Sequence, residues 1–333
     1  MNITKKQIDE LNLELTLEIA GEDYAEISRK KTADVKRNAD FKGFRKGMVP
    51  TSLIQKIYGE QILVESVNQL VSESLDEYVK TNKLNLLGEP MASEKQPEIE
   101  WKNGNAFTFV FDAALSPEVK LEVVKEDEIP HYSVTVSAED KKKMVETLRK
   151  IESGNKENKE PKTDEQIEKE AEERLNSQYV QEAEWRLGKD IRDYFVGKAK
   201  LSLPEAFLKR WLLAANEGKV TREDVDKEFD GFAQDFKWQL VRSYLMRKFE
   251  LKVEQKDLQE AAEAFVSYQY AMYGLGNVPA EMIKEAAGNI LSDRKQLDRM
   301  IEQVEDRKVI DRIKETVTVK SKKITSTKFR ELK

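Results

Sequence analysis

The chain has 333 residues, enough for two or three domains, and its formal net charge of -6 argues against general coating of nucleic acid. It contains no cysteine, which excludes disulfides, thiolate metal sites and cysteine nucleophiles. Charged residues make up 36% and apolar residues 39%, a balance that predicts an elongated, helical protein with much exposed surface. The N-terminus lacks the apolar core of a signal peptide, and no apolar run approaches the roughly 20 residues that span a bilayer, so we expect a cytoplasmic protein.

The first 114 residues predict a small α+β domain. Alternation of apolar and polar residues indicates half-buried strands, and a segment with an acidic start and a basic end indicates a helix, because both charges suit the helix dipole. In chain order we expect a strand at 11–19, a helix at 20–38, a glycine-containing loop at 41–49, a helix that begins at Pro50, and strands near 84–87 and 106–115.

The remaining residues predict a connector and a helical C-terminal domain. Residues 115–136 are extended, alternating and acidic, which is typical of a connector. Dense charge, small residues and the lack of large apolar side chains predict a linker at 151–162. The helical domain comprises 137–150 and 163–325, closes in a β-like run at 316–324, and is followed by a basic tail at 326–333. The predicted fold is therefore mainly α, with an α+β N-terminal domain.

The loop at 41–49 is the most informative feature. Nine bases and two acids lie between Ser28 and Lys56, a local charge of +7 in a chain whose total is -6. Phe41 and Phe44 lie among those bases, where burial is difficult. Arginine and lysine bind phosphate or carboxylate, and an exposed aromatic adds a contact that becomes strong once desolvated. The residues alone leave two interpretations open: a docking loop, or a solvated loop whose aromatic rings fold back onto their own domain.

The residues of this loop resemble a known motif. Its residues 43–50 read GFRKGMVP, are followed by Tyr58 and Gly59, and resemble the ribosome-binding motif of bacterial trigger factor. The strand, helix, loop and helix order around the motif resembles that family's N-terminal domain, and segments at 203–208 and 238–240 resemble its helical C-terminal domain. Met48 departs from the lysine expected there, which removes one charge without removing the motif.

The resemblance implies an ATP-independent chaperone that docks at the ribosome exit tunnel and shields apolar segments of nascent chains. It implies helical C-terminal arms, and partners that include the ribosome, with its large-subunit protein and ribosomal RNA at the tunnel exit, and nascent or unfolded polypeptides. A homodimer of the free protein is also expected of the family, and the residues leave it open. No cofactor, metal or membrane partner is expected. The resemblance assigns ribosome contacts to Phe44, Arg45, Lys46, Lys42, Gly43 and Gly47.

Members of that family usually carry an inserted FKBP-like prolyl-isomerase domain of about a hundred residues, with strands, a glycine-rich loop and an aromatic pocket. Between Lys150 and Thr163 there is room for a linker only, and the following helices lack the glycines and the strand alternation. We therefore expect the isomerase domain to be absent and the chain not to be an enzyme. The alternative is a peptidyl-prolyl cis-trans isomerase, which a proline-limited refolding assay would detect.

A second segment, at 265–274, is dense in aromatic residues before a break rich in glycine and proline. These residues would face more than one side of a helix, and tyrosine and methionine are adaptable contacts for varied apolar partners. One interpretation is packing between two helices. The other, which the family's apolar arm patches favour, is a client-binding surface made of Phe265, Tyr268, Tyr270, Met272 and Tyr273.

The other candidate residues and motifs give weaker evidence of function. His131 is the single histidine and has no ligand set around it, so we expect a plain connector residue. The sequence contains no P-loop or nucleophile elbow, so no use of ATP is implied. Two further rivals remain: a secreted helical chaperone, which would need a signal peptide, and an RNA-binding adaptor that uses the basic patch without any client surface.

Overall fold

The computed structural model describes residues 1–154 and 162–332 and confirms a mainly helical fold with a small N-terminal sheet. In chain order the elements are β1 (Asn2–Gln7), β2 (Asn12–Ile19), α1 (Gly21–Asn38), α2 (Thr51–Thr81), β3 (Met91–Ala92), β4 (Phe107–Ala114), β5 (Glu128–Thr135), α3 (Ala138–Gly154), α4 (Asp164–Ala199), α5 (Glu205–Ala215), α6 (Arg222–Lys248), α7 (Gln255–Met272), α8 (Ala280–Ser292), α9 (Arg294–Thr316), β6 (Thr318–Thr325) and α10 (Ser326–Glu331). Among the described helices, none has the length and apolar character needed to cross a membrane.

The chain forms two compact units. One consists of Met1–Glu118 with Ser202–Ala233, and the other of Val119–Leu201 with Gln234–Lys333. These units follow spatial contacts and not chain order. The domain boundaries predicted at 114, 136 and 163 stay a prediction.

In the first unit, four antiparallel strands lie in the order β1-β2-β4-β3. The predicted strand at 11–19 is β2. Its leucines are buried, and the polar residues between them are half-buried or exposed, as the two-residue period requires. Strand β1 escaped prediction because its residues are almost all exposed at the sheet edge. The strand predicted at 84–87 is wrong: Leu86 forms only an isolated bridge to Leu115, and the paired residues are those of β3.

One face of this sheet is covered by α2, whose apolar residues recur at helical spacing and pack on β2 and β4 through Leu63, Val67, Val71 and Leu75. Helix α1 packs beside α2, so the two form a hairpin whose connecting loop projects away from the sheet core. The helix predicted at 20–38 and the helix after Pro50 are thus both observed.

Helix α5 also belongs to the first unit and is joined to the sheet by a close approach. The guanidinium of Arg210 donates to the Asp112 carboxylate on β4 at 2.6 Å. Gly88 adopts a positive φ of 77°, and a Cβ at that position would lie 3.0 Å from the Trp211 indole nitrogen. Glycine is therefore required on both conformational and steric grounds where the Trp211 ring crosses the chain.

The core of the second unit is organised by α4, whose buried residues recur every fourth position from Ile167 to Phe195. Leucine, isoleucine and phenylalanine from this stripe pack against α6 and α9, and Ile129 of β5 joins the same cluster. Strand β5 lies within the predicted connector and pairs in parallel with β6 over eight residues, from Glu128 opposite Thr318 to Thr135 opposite Thr325. The β-like run at 316–324 is thus a true strand.

The predicted linker at 151–162 is partly helical. Residues 151–154 end α3, whereas residues 155–161 lie outside the described part of the chain. Thr163 begins α4 with a reciprocal capping box, since its hydroxyl accepts from the Gln166 amide at 3.3 Å and its own amide donates to the Gln166 side chain at 2.9 Å. The backbone amide of Lys162 donates to the Glu152 carboxylate at 3.2 Å, so the flanks of the undescribed segment lie together.

In the basic tail predicted at 326–333, residues 326–331 form α10, which is held to α3 by Asp140. This carboxylate is buried and accepts from the hydroxyls of Ser326 and Ser137 and, at 2.6 and 2.7 Å, from the Arg330 guanidinium. The hydrogen bond from Ser326, together with those from Ser137 and Arg330, lowers the pKa of Asp140 to about 2. Phe329 packs against Tyr179 on the same side.

We predict that Asp140→Asn lowers the free energy of unfolding by about 2 kcal/mol at pH 7, because a pKa held about two units below its usual value stabilises the ionised, folded form. The contribution of a carboxylate with a depressed pKa is present above the unfolded-state value near 3.8 and is lost as the pH falls from about 4 towards 2. The difference between parent and variant should therefore shrink in that window. Urea denaturation followed by circular dichroism measures it.

The matched control is Glu139→Gln on the adjacent, exposed carboxylate that pairs with Lys143. Surface pairs of this kind contribute little to stability, so this variant should unfold nearly as the parent does. Equal destabilisation by the two variants would contradict the role given to Asp140.

Candidate functional site

The loop between α1 and α2 consists of two consecutive tight turns. The amide of Phe44 donates to the Phe41 carbonyl at 3.0 Å, and the amide of Met48 donates to the Arg45 carbonyl at 2.9 Å. The third residue of each turn is a glycine with positive φ, 92° at Gly43 and 81° at Gly47. Turns of this geometry favour glycine at that position, which explains why the two glycines of the motif are four residues apart.

Both ends of the loop are fixed by buried packing. Val49 is fully buried with Ile54 and Ile62, and the Phe41 ring meets Tyr58 edge-on with ring centroids 6.1 Å apart. Phe41 therefore folds back onto the α1–α2 hairpin, as the second of the two interpretations left open by the sequence has it. The spacing of glycines and charges in the sequence does not show which of the two rings packs inward. The contact with Tyr58 on the next helix is what holds Phe41 there.

The tip of the loop presents an aromatic ring among cations. The Phe44 side chain is 42% exposed, and Lys42, Arg45 and Lys46 are exposed around it. Within residues 1–154 and 162–332, no acid forms an ion pair with any of these three cations. Met48, at the predicted lysine position, is also exposed and extends the apolar part of the tip. The sequence-predicted loop residues are thus brought together on one projecting, cationic surface.

The aromatic segment at the end of α7 divides into two faces. Tyr270 packs against Ala262, Val266 and Ala287 between α7 and α8, and Phe265 is half-buried, so these two predicted client contacts serve at least partly as packing. Tyr268, Met272 and Tyr273 point away and are 65%, 71% and 83% exposed. The segment therefore combines helix packing with exposed apolar side chains, and the client-binding interpretation stays a prediction.

Two further apolar residues that follow closely in the chain, Leu275 and Met282, are also exposed. Sequence reasoning missed them because Leu275 lies in the glycine-rich break after the helix and Met282 in the next helix. Gly274 adopts a positive φ of 77°, and the Leu275 amide donates back to the Tyr270 carbonyl at 2.9 Å, which ends α7. An apolar residue just after a helix-ending glycine is the signal that could have found it. We call Tyr268, Met272, Tyr273, Leu275 and Met282 the tip patch.

His131 lies on β5, and its Nε2 atom is 3.1 Å from a Glu184 oxygen on α4. The Lys314 ammonium, which also pairs with Glu184 at 2.9 Å, lowers the pKa of that carboxyl, and His131 acts in the same direction. In the described part of the chain, no three histidine, aspartate or glutamate side chains are grouped as a metal site would need. The histidine is part of a contact between strand and helix.

We predict that Phe41→Ala and Phe44→Ala differ in their effect on stability, because the first ring is packed and the second is exposed. Phe41→Ala should lower the free energy of unfolding by about 1–2 kcal/mol, roughly half the cost of truncating a fully buried phenylalanine. Phe44→Ala should change it by less than about 0.5 kcal/mol, as is usual for an exposed side chain. Urea denaturation of the two variants beside the parent provides the measurement. Equal losses in the two variants would contradict the observed orientation of the rings.

Two family models match the chain. One, described as bacterial trigger factor protein, matches residues 1–148, and the other, described as probable trigger factor C-terminal domain, matches residues 183–333. The first contains the loop between α1 and α2, and the second contains the tip patch. Residues 149–182 between the two models are, where described, the end of α3 and the first half of α4, so the described residues contain no FKBP-like domain.

Individual relatives agree with the models. The chain is 35% identical to the trigger factor of Geobacter sp. (strain M21) over 132 residues, which are 38% of this chain and 29% of the relative. It is 28% identical to the trigger factor of Psychrobacter sp. (strain PRwf-1) over 150 residues, 45% of this chain and 33% of the relative. These matches span about a third of the length of the curated relatives.

The fold agrees as well. A solved structure, described as showing promiscuous substrate recognition in folding and assembly activities of the trigger factor chaperone, aligns with a TM-score of 0.56. The alignment covers 94% of this chain and 99% of that one at 13% identity, so it speaks for the fold alone. The two family models, which together match residues 1–148 and 183–333, show that the chain belongs to the trigger factor family.

Proposed function

We propose that this chain is an ATP-independent chaperone that docks at the ribosome exit tunnel through the loop at 43–50 and shields apolar segments of nascent chains. The observation that carries the proposal is the exposed Phe44 ring among three cations that form no ion pair with any described residue, on a loop whose two ends are buried. An exposed aromatic ring gains free energy when a partner covers it, and the cations around it can bind phosphate or carboxylate groups of that partner.

The chemistry of the tip suits a surface made of both RNA and protein. Arg45 and Lys46 would contact phosphates, which positions the loop and makes the affinity fall as salt rises. Phe44 would enter an apolar pocket as an anchor, since a buried aromatic at the centre of a contact carries a large part of binding energy. Because the back-to-back turns already hold these side chains outward, little conformational entropy is lost on docking.

The tip patch supports the shielding half of the proposal. Exposed tyrosine, methionine and leucine side chains offer a soft, adaptable surface without a defined pocket, which fits many unfolded segments weakly. Docking would raise the concentration of this surface beside the emerging chain, so that weak contacts suffice. Aggregation of exposed apolar segments is delayed as a result, with no nucleotide consumed.

The proposed activity is chaperoning without prolyl-isomerase catalysis. Support comes from the 34 residues between the two family models, 149–182, which are too few for a domain of about a hundred residues. Self-association of the free protein and a cytoplasmic location stay predictions.

We predict that replacing Phe44, Arg45 and Lys46 together by alanine lowers the affinity for bacterial ribosomes at least tenfold and leaves the fold intact. Loss of two phosphate contacts should also flatten the dependence of log affinity on log salt by about one to two units. Co-sedimentation with ribosomes across a salt series measures both quantities. The charge-matched control is Lys219→Ala with Lys227→Ala, two exposed lysines of the same unit outside the loop. If the triple variant pellets like the control at moderate salt, the loop is not the docking element.

We predict that Tyr268→Ser, Met272→Ser and Tyr273→Ser, made together, weaken chaperoning without lowering thermal stability, because all three side chains are exposed. In a ribosome-free assay, half-maximal suppression of aggregation of a denatured reporter should need at least threefold more of this variant. The control is Ile8→Ser with Ile151→Ser, which removes exposed apolar side chains outside the tip patch. The Phe44-Arg45-Lys46 alanine variant should protect as well as the parent. Unchanged protection by the tip-patch variant would reject the client surface.

A further inference from the structure

The second unit contains an exposed strand edge that the proposed function does not use. Strands β5 and β6 form a two-stranded parallel sheet. Ile129 and Tyr132 of β5 are buried, whereas β6 is exposed along most of its eight residues. Among the described residues, no strand pairs with β6 on the side away from β5. The outer edge of β6 is therefore open to solvent.

The alternation of backbone groups identifies which residues form this edge. The amide of Thr318 donates to the Asp127 carbonyl at 2.9 Å, on the side of β5. Because N–H and C=O groups change sides at each residue of a strand, Val319, Ser321 and Lys323 direct theirs to the outer edge. Three donors and three acceptors in this register can hold an added strand of about five residues, roughly 17 Å long.

The edge is strongly cationic. Residues 318–332 contain five bases and one acid, a local charge of +4 in a chain of -6. Lys320 is paired with Glu128 at 2.5 Å, and the Lys322 ammonium lies over the Tyr132 ring, 5.9 Å from its centroid. Within the described ranges no acid pairs with Lys323 or Lys328. These two lysines line a groove of about 710 Å³, and its lining also includes the apolar side chains of Ile324 and Leu332 and one acid, Glu331.

We infer that the outer edge of β6 binds an extended acidic segment of another polypeptide as a third strand. Backbone hydrogen bonds to Val319, Ser321 and Lys323 supply the register, Lys323 and Lys328 pair with carboxylates, and the groove accepts one apolar side chain. Strand addition of this kind gives affinity through the main chain and specificity through alternate side chains.

Charge decides between this occupant and two others. A second copy of β6 would place lysine opposite lysine, and like charges directly across a strand pair are unfavourable. A nucleic acid would satisfy the lysines but would meet the outward carbonyls of the edge with its own phosphate oxygens, leaving those acceptors without donors. An acidic peptide strand satisfies both the lysines and the carbonyls, since its amides donate while its carboxylates accept.

The test measures binding of fluorescein-labelled, end-capped peptides to the full chain by fluorescence anisotropy. The probe is a seven-residue peptide of alternating glutamate and valine, and its comparison is the same peptide with every backbone nitrogen methylated, which keeps the charge and removes the donors. The parent protein should bind the probe at least tenfold more tightly than the methylated peptide. Equal binding of the two peptides, or no binding of the probe, overturns the inference.

Charge reversal tests the same edge from the protein side. Lys323→Glu with Lys328→Glu should weaken probe binding at least tenfold, whereas Lys142→Glu with Lys252→Glu, exposed lysines elsewhere in the unit, should weaken it less than threefold. The Phe44-Arg45-Lys46 alanine variant should bind the probe as the parent does, which separates this surface from the docking loop. Unchanged binding by the Lys323 and Lys328 variant, or a single-stranded RNA of equal charge that binds as tightly as the probe, contradicts strand addition.

Discussion

The projecting loop depends on the anchoring of its two ends in the α1–α2 hairpin. After α1, Phe41 packs against Tyr58. Before α2, Val49 is buried with Ile54 and Ile62. Between these anchors only a few residues remain, and two glycines with positive φ let them turn twice. The hairpin in turn rests on the sheet through the apolar face of α2. The exposure of Phe44 is thus the consequence of burial on either side of it.

The second unit is held by pairings between segments distant in sequence. Strands β5 and β6 are about 190 residues apart in the chain, and Asp140 is joined to Arg330 and Ser326 over a similar separation. Closing such loops costs more entropy than local contacts do, and the buried carboxylate and the apolar stripe of α4 offset that cost. Segments near both ends of the unit's sequence therefore contribute to one structure, in which residues 326–331 form a packed helix.

Local patterns predicted the fold well, and long-range pairings escaped prediction for a physical reason. The alternation in β2, the helix dipole charges of α1 and the capping residue Thr163 act within a few residues, so a single sequence displays them. The pairing of β5 with β6 and the contact of α5 with β4 join residues that are far apart in the sequence, so no short segment displays them. At the candidate site the loop and the aromatic segment were found, but the inward turn of Phe41 and Tyr270 and the exposure of Leu275 depend on neighbouring helices.

The meeting of α3 and α4 has a consequence for how this family varies. Arg149 near the end of α3 pairs with Asp164 at the start of α4 at 3.0 Å, and Glu152 accepts from the Lys162 amide. The end of α3 and the start of α4 thus lie next to each other in the second unit. Insertions are tolerated where the two flanks are adjacent and the hydrophobic core is not interrupted. A module can be gained or lost at this junction during evolution, or exchanged by an engineer, while the helices on either side keep the same packing.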